Sequence, residues 1–136
     1  MSFGRLVSHA RSLSTLNQYK RALERHAPID IHPEVEDALA NNKPLVALET
    51  TLITHGIPHP ENFRLGRSLE SIVRSTGSIP ATIGVIDGRV KIGLDESQLQ
   101  RLAERAHKPV KISRRDVAAA IATKADGGWC CVQQNS

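Results

Sequence analysis

The chain has 136 residues, 40% hydrophobic and 24% charged, enough for one domain and not for two, and too apolar with too little net charge for wholesale disorder. Its longest uncharged stretches are broken by Gly, Pro and Ser, so no run approaches the roughly 20 apolar residues that crossing a membrane requires. The net charge of +4 comes from residues 1–23, which hold Arg5, Arg11, Lys20 and Arg21 and no acid; beyond them bases and acids balance, and with Phe3, Tyr19, Phe63 and Trp129 as the sole aromatics the body offers neither the basic stripe nor the stacking platform of a nucleic-acid binder.

Residues 1–28 read as a leader. They are rich in Ser and Arg, and Phe3, Leu6, Val7, Ala10 and Leu13 fall on one helical face without an apolar core of the secretory kind. This is the pattern of a mitochondrial transit peptide; the alternative is a disordered basic tail on a cytoplasmic protein.

From Ile29 onward helix-like and strand-like periods alternate, which is the grammar of an α/β fold. Pro33, followed by Glu34, Glu36 and Asp37, predicts a helix running to about Asn41, with proline and acids at its positive end. Lys43-Pro44 ends it. Leu45–Leu48 then reads as a continuous apolar strand of the kind buried on both faces, entering Glu49-Thr50-Thr51. A loop with Gly56, Pro58 and Pro60 follows, then an amphipathic helix from Glu61 carrying Leu65, Leu69, Ile72 and Val73, closed by Gly77.

Ala81–Ile86 and Arg89–Ile92 flank Asp87-Gly88, the strongest two-residue signal for a hairpin. Asp95 and Gln98 form a capping-box variant, opening a helix with Leu99, Leu102, Ala103 and Ala106 on its apolar face. Pro109–Ile112 predicts a short strand, and an alanine-rich helix from about Asp116 to Ala125 is closed by Gly127-Gly128. After Gly128 neither period continues. The fold class expected is α/β, a mixed sheet flanked by helices, forming the incomplete N-terminal portion of an α/β/α domain. Residues 29–128 are its body and residues 129–136 a tail; Cys130 and Cys131, adjacent in that tail, read as two thiols in a reducing compartment.

Chemistry is sought first at Glu49. A carboxylate at the carboxyl end of a buried strand lies where α/β folds place ligands, and burial favours the protonated form that can donate to a leaving group. The alternative is a wet loop acid. Lys111 lies among Pro109, Val110 and Ile112, a costly setting for an ammonium unless an anion partners it or it reaches solvent at a sheet edge. Ser113, Arg114 and Arg115 stand at a strand-to-helix junction suited to phosphate, unless Asp116 simply caps a helix whose arginines are solvated. His55 and His59 have the spacing of helical metal ligands, but Gly56 and Pro58 between them argue against a helix. No metal site is assigned.

Several blocks in register carry a more specific signal. Ile31–Leu39, Pro44–Pro58 with its Ala-Leu-Glu-Thr-Thr-Leu-Ile-Thr-His-Gly core, Pro60-Glu-Asn62, Gly77–Gly88, Val90–Leu94 and Lys111–Asp116 resemble the start of the pseudouridine-5′-phosphate glycosidase family. The resemblance implies reversible cleavage of the carbon–carbon glycosidic bond of pseudouridine 5′-phosphate to uracil and ribose 5-phosphate, with manganese as cofactor and a homo-oligomeric assembly. It implies that Glu49 is the proton donor and Lys111 a substrate-binding lysine. A carbon leaving group has no lone pair, so it must be protonated at carbon while an electron sink forms at the sugar, in this family a lysine imine.

The resemblance covers roughly the first third of the glycosidase domain. After Gly128 the family's Thr-Thr run is replaced by Trp129-Cys130-Cys131, and the imine lysine, the metal aspartate and a late asparagine have no counterpart. The expectation is a catalytically incomplete chain, with a non-catalytic product that associates with full-length subunits as the alternative.

Overall fold

Residues 27–130 are described in the computed structural model; the leader and residues 131–136, Cys131 among them, lie outside. The elements run β1 (Ile29–Ile31), α1 (Pro33–Ala40), β2 (Leu45–Leu48), a single π-helical turn (Leu52–Gly56), α2 (Glu61–Ser75), β3 (Ile79–Ile86), β4 (Arg89–Ile92), α3 (Glu96–Glu104), β5 (Val110–Ile112), α4 (Val117–Ala122) and β6 (Gly127–Trp129). The six strands form one mixed sheet in the order β1-β4-β3-β6-β5, with β2 paired to β3 off that path. This is the α/β architecture that the alternating periods predict.

The local signals act as their chemistry requires. His32 caps α1, its Nδ1 accepting the Glu34 N–H at 3.2 Å ahead of Pro33. Asp95 and Gln98 close a true capping box on α3. Asp87 and Gly88 both adopt positive φ, 51° and 72°, the type I′ geometry whose twist matches the antiparallel β3–β4 pair.

Burial follows the period-two alternation of β3. Ile86 faces Leu94, Leu99, Leu102, Ala103 and Ile53, with Phe63 of α2 packed against them, whereas Val85 faces Ile112 and Ala120, flanked by Val117 and Trp129. Helices therefore cover both sides, α2 and α3 on one and α4 on the other. Each fully buried leucine, Leu99 or Leu102, contributes about 1.5–3 kcal/mol by leaving water. Among the described residues no helix is long and apolar enough to cross a membrane.

Four expectations are corrected. β2 is not buried on both faces: Val46 is 37% exposed and Ala47 is exposed, because β3 is its one strand partner among the described residues. On α2 the deepest positions are Asn62 and Gly66, not the aliphatic stripe, and Ile72 is 57% exposed. The Gly56 loop begins with the π-turn, in which the Ile57 N–H reaches back to the Leu52 carbonyl at 3.0 Å. The alanine-rich helix stops at Ala122, and Gly127-Gly128 form a strand rather than a helix stop.

β1 was absent from the sequence pattern, being three residues long and placed by its parallel ladder to β4. β6 is glycine-rich because two neighbours press on it. A Cβ at Gly127 would meet Ile112 Cδ1 at 2.2 Å, and one at Gly128 would meet Thr54 Oγ1 at 2.1 Å.

Candidate active site

β3 is long enough to serve two strands end to end. Its first half, Ile79–Thr82, pairs in parallel with β2, and its second half pairs antiparallel with β6 through Gly84↔Gly128 and Val85↔Gly127. β2 and β6 therefore point at each other with their carboxyl ends, and β5, parallel to β6, brings its own carboxyl end to the same place. Glu49 leaves β2 at this meeting point, and Ser113 leaves β5 there.

The junction is closed by threonines. The Thr50 N–H donates to the Trp129 carbonyl at 3.2 Å, and the Thr51 hydroxyl donates to the same oxygen at 2.9 Å. The Thr50 hydroxyl accepts the Trp129 N–H at 2.9 Å and donates to the Ile83 carbonyl at 2.7 Å. The Thr50 carbonyl receives the Ile53 and Thr54 N–H groups at 3.1 and 3.0 Å, starting the π-turn. Thr54 adds its hydroxyl to that carbonyl at 3.1 Å and lies 2.7 Å from His55 Nδ1. Thr50 and Thr54 are both buried. The π-turn begins three residues after Glu49.

Glu49 is half-buried, and its Oε2 accepts the Thr51 N–H at 3.1 Å. The carboxylate is thus neither a freely wet loop acid nor a group sealed from water. Lys111 is exposed on β5, the last strand of the sheet, in register with Gly128. It is one strand removed from Gly128, whose free face is filled by the Thr50 carbonyl and the Thr54 hydroxyl. Glu49 and Lys111 therefore occupy the same corner of the fold.

Ser113 is turned to Asp116, which accepts its N–H at 2.9 Å and its hydroxyl at 2.6 Å. The Ser113 hydroxyl and then its N–H hold the Asp116 carboxyl below the usual carboxylate range. Arg114 and Arg115 project into solvent beside that turn. His55 lies within the π-turn and His59 beyond it, so the pair does not share a helix. Among the described residues no group of three or more His, Cys, Asp or Glu side chains is arranged to hold a metal ion.

Sequence reasoning missed Thr50, Thr51 and Thr54. The signal was present in the spacing of three hydroxyls at the end of an apolar strand, but short Thr runs in a strand are ordinary and their partner, Trp129, is remote in the chain.

A mixed sheet flanked by helices, with Glu49 and the strand of Lys111 at converging strand ends, is an α/β fold. A family model described as Indigoidine synthase A like protein matches residues 34–133, and the chain belongs to that family. It is 49% identical over 102 residues to a pseudouridine-5′-phosphate glycosidase of Rhodospirillum centenum, covering 75% of this chain and 31% of that protein. It is 44% identical over 99 residues to one of Arabidopsis thaliana, covering 73% and 30%. The crystal structure of the prealnumycin C-glycosynthase AlnA in complex with ribulose 5-phosphate matches with a TM-score of 0.65 and 34% identity, over 76% of this chain and 32% of that one. The chain thus spans about a third of the length of the relatives it matches.

Proposed function

We propose that the chain carries the proton-delivering part of a pseudouridine-5′-phosphate glycosidase, acting on the C-glycosidic bond between uracil and ribose 5-phosphate. Glu49 supplies the proton that C5 of the uracil must gain when its bond to C1′ breaks, and water enters at C1′ to complete ribose 5-phosphate. Lys111 holds the sugar phosphate by charge, with Arg114 and Arg115 on the same strand-to-helix turn as further phosphate partners. The observation that carries this reading is the placement of Glu49 at the convergence of three strand ends, held by the Thr51 N–H.

Manganese, implied by the resemblance, has no ligand set among the described residues, and no step is drawn through it. The mitochondrial location belongs to the same proposal and rests on the leader alone, whose first 23 residues carry no acid.

The test has two arms. Ribose 5-phosphate titrated into the chain should bind, and Lys111→Met should weaken binding about tenfold or more, the worth of a charge-assisted contact. With residues 31–128 set in place of the matching segment of a full-length relative, which supplies the imine lysine and the metal aspartate, pseudouridine 5′-phosphate and manganese should yield uracil, read by absorbance, and Glu49→Gln should lower the rate about 10²–10⁴-fold, the range of a general acid. Absence of both binding and uracil release overturns the proposal; release indifferent to Glu49→Gln overturns the role of that residue.

A further inference from the structure

The antiparallel register of β3 and β6, Gly84↔Gly128 and Val85↔Gly127, continues by one step to Ile83 opposite Trp129. An uninterrupted ladder would join the Trp129 N–H to the Ile83 carbonyl at that rung. Instead the Thr50 hydroxyl lies between them, accepting from one at 2.9 Å and donating to the other at 2.7 Å. A hydroxyl has one proton to donate and lone pairs to accept with, so both bonds are made at once. Thr50 is 0% exposed, so water does not compete for either partner.

We propose that Thr50 is a positioning residue: its hydroxyl, inserted as a wedge between β3 and β6, sets the direction in which Glu49 leaves β2. This rests on the role proposed for Glu49 and deepens it. Glu49 is held from two sides, by the last β2–β3 pair, Leu48↔Thr82, and by Thr50, whose N–H, carbonyl and hydroxyl are all engaged. The Thr51 N–H that meets the Glu49 carboxylate is itself placed by the Thr51 hydroxyl on the Trp129 carbonyl. Removing the hydroxyl leaves the buried Trp129 N–H and Ile83 carbonyl without the partner they share, and the shift that re-pairs them carries Thr51 and the carboxylate with it. Gly128 admits no compensation, because its free face is already occupied by the Thr50 carbonyl and the Thr54 hydroxyl.

The experiment compares the full chain with Thr50→Val, which keeps the shape and removes the hydroxyl, and Thr50→Ser, which restores it. In the native chain and in Thr50→Ser, the Thr51 amide proton should shift with pH in step with Glu49 ionisation, and in Thr50→Val that coupling should vanish. For uracil release, measured with residues 31–128 in place of the matching segment of a full-length relative, Thr50→Val should lower kcat about 10–100-fold with KM within a factor of ~2, the signature of a displaced acid rather than lost binding, and Thr50→Ser should recover it. If that full-length setting releases no uracil, the proposed reaction fails while the amide titration in the native chain still decides the role of Thr50. If Thr50→Val does not fold, the native protein decides it. The Thr50 hydroxyl proton should then be a slowly exchanging resonance with a cross-relaxation peak to the Trp129 amide. A Thr51 titration unchanged in Thr50→Val, or a hydroxyl proton in free exchange with water, overturns the inference.

Discussion

Arg101 grips Asp126 side-on, Nε at 2.8 Å from one carboxylate oxygen and Nη2 at 3.0 Å from the other. The same guanidinium reaches Asp87 in the β3–β4 turn at 2.6 Å, and Asp126 also accepts the Asp87 N–H at 2.9 Å. The pair therefore bolts α3 to the hairpin turn and to the segment that enters β6. Asp126 is 6% exposed, so losing the arginine leaves a buried carboxylate with a single backbone donor. Arg101→Met is expected to destabilise the chain by about 2–3 kcal/mol, less than a fully buried pair because Arg101 itself is partly exposed, as read by urea unfolding. A midpoint equal to that of the native chain would show the bolt to be idle.

Asn62 performs the corresponding task on the other face. Its Nδ2 donates to the Ile53 and Ala103 carbonyls, both at 2.8 Å, and its Oδ1 accepts the Phe63 N–H at 2.8 Å. It is fully buried and joins the π-turn, α2 and the end of α3. Asn62→Leu, similar in size and without polar atoms, should cost about 2–4 kcal/mol because it strands the Ala103 carbonyl and the Phe63 N–H and leaves the Ile53 carbonyl only the long contact from Arg105 at 3.4 Å. Thermal unfolding followed by circular dichroism measures it.

Gly128→Ala tests the closeness of β6 to the threonine cluster. Its new methyl would need the space of the Thr54 hydroxyl and press on the Thr50 carbonyl at 2.9 Å, so the strand must shift. A loss of about 1–3 kcal/mol is expected, together with a changed emission of Trp129, the one tryptophan of the chain. Unaltered fluorescence and stability would mean that β6 moves freely past Thr54.

Acid should weaken the fold through its paired carboxylates. Arg89, then Lys91, hold Asp30 well below the usual carboxylate range against the opposing pull of burial, and Arg74 lowers Glu34 in the same way. A carboxyl depressed in the folded state contributes stability that is full above its unfolded value, near 4, and is lost as pH falls through the folded one. The urea midpoint should therefore be level from neutrality to about pH 5 and drop below about pH 4. Asp30→Asn should flatten that drop. A midpoint that rises on acidification contradicts the assignment.

The last strand of the sheet, β5, leaves Val110 44% exposed, and β2 leaves Val46 37% exposed. Uncovered strands of this kind recruit other chains. Light scattering of the isolated chain should grow with concentration, and Val110→Lys, adding charge at the edge, should suppress it. Equal scattering by the two proteins would remove β5 as the sticky edge.

What could be seen in the sequence was what neighbours in the chain decide. The Asp87-Gly88 turn, the Asp95 and Gln98 cap and the Pro33 start are each specified within four residues, and the structure has them where the pattern puts them. Glu49 stood out because it ends an apolar run. The shape of its surroundings did not, since Thr50 is completed by Ile83 and Trp129, 33 and 79 residues away. Gly127-Gly128 misled for the same reason: glycine ends helices when the cause is local, and here it admits a crowded strand. The burial of β2 was overread, because an apolar run reports affinity for a core and not how many neighbours arrive to form one.

The position of β3 between β2, β4 and β6 also dictates an order of assembly. Among the described strands, its hairpin with β4 is the pairing that closes over a short loop; β2 and β6 must find β3, and β1 must find β4, across long stretches of chain, which makes their docking entropically slower. The hairpin is then the seed on which the remaining strands condense, and the corner holding Glu49, needing both β2 and β6, is among the last parts of the molecule to mature.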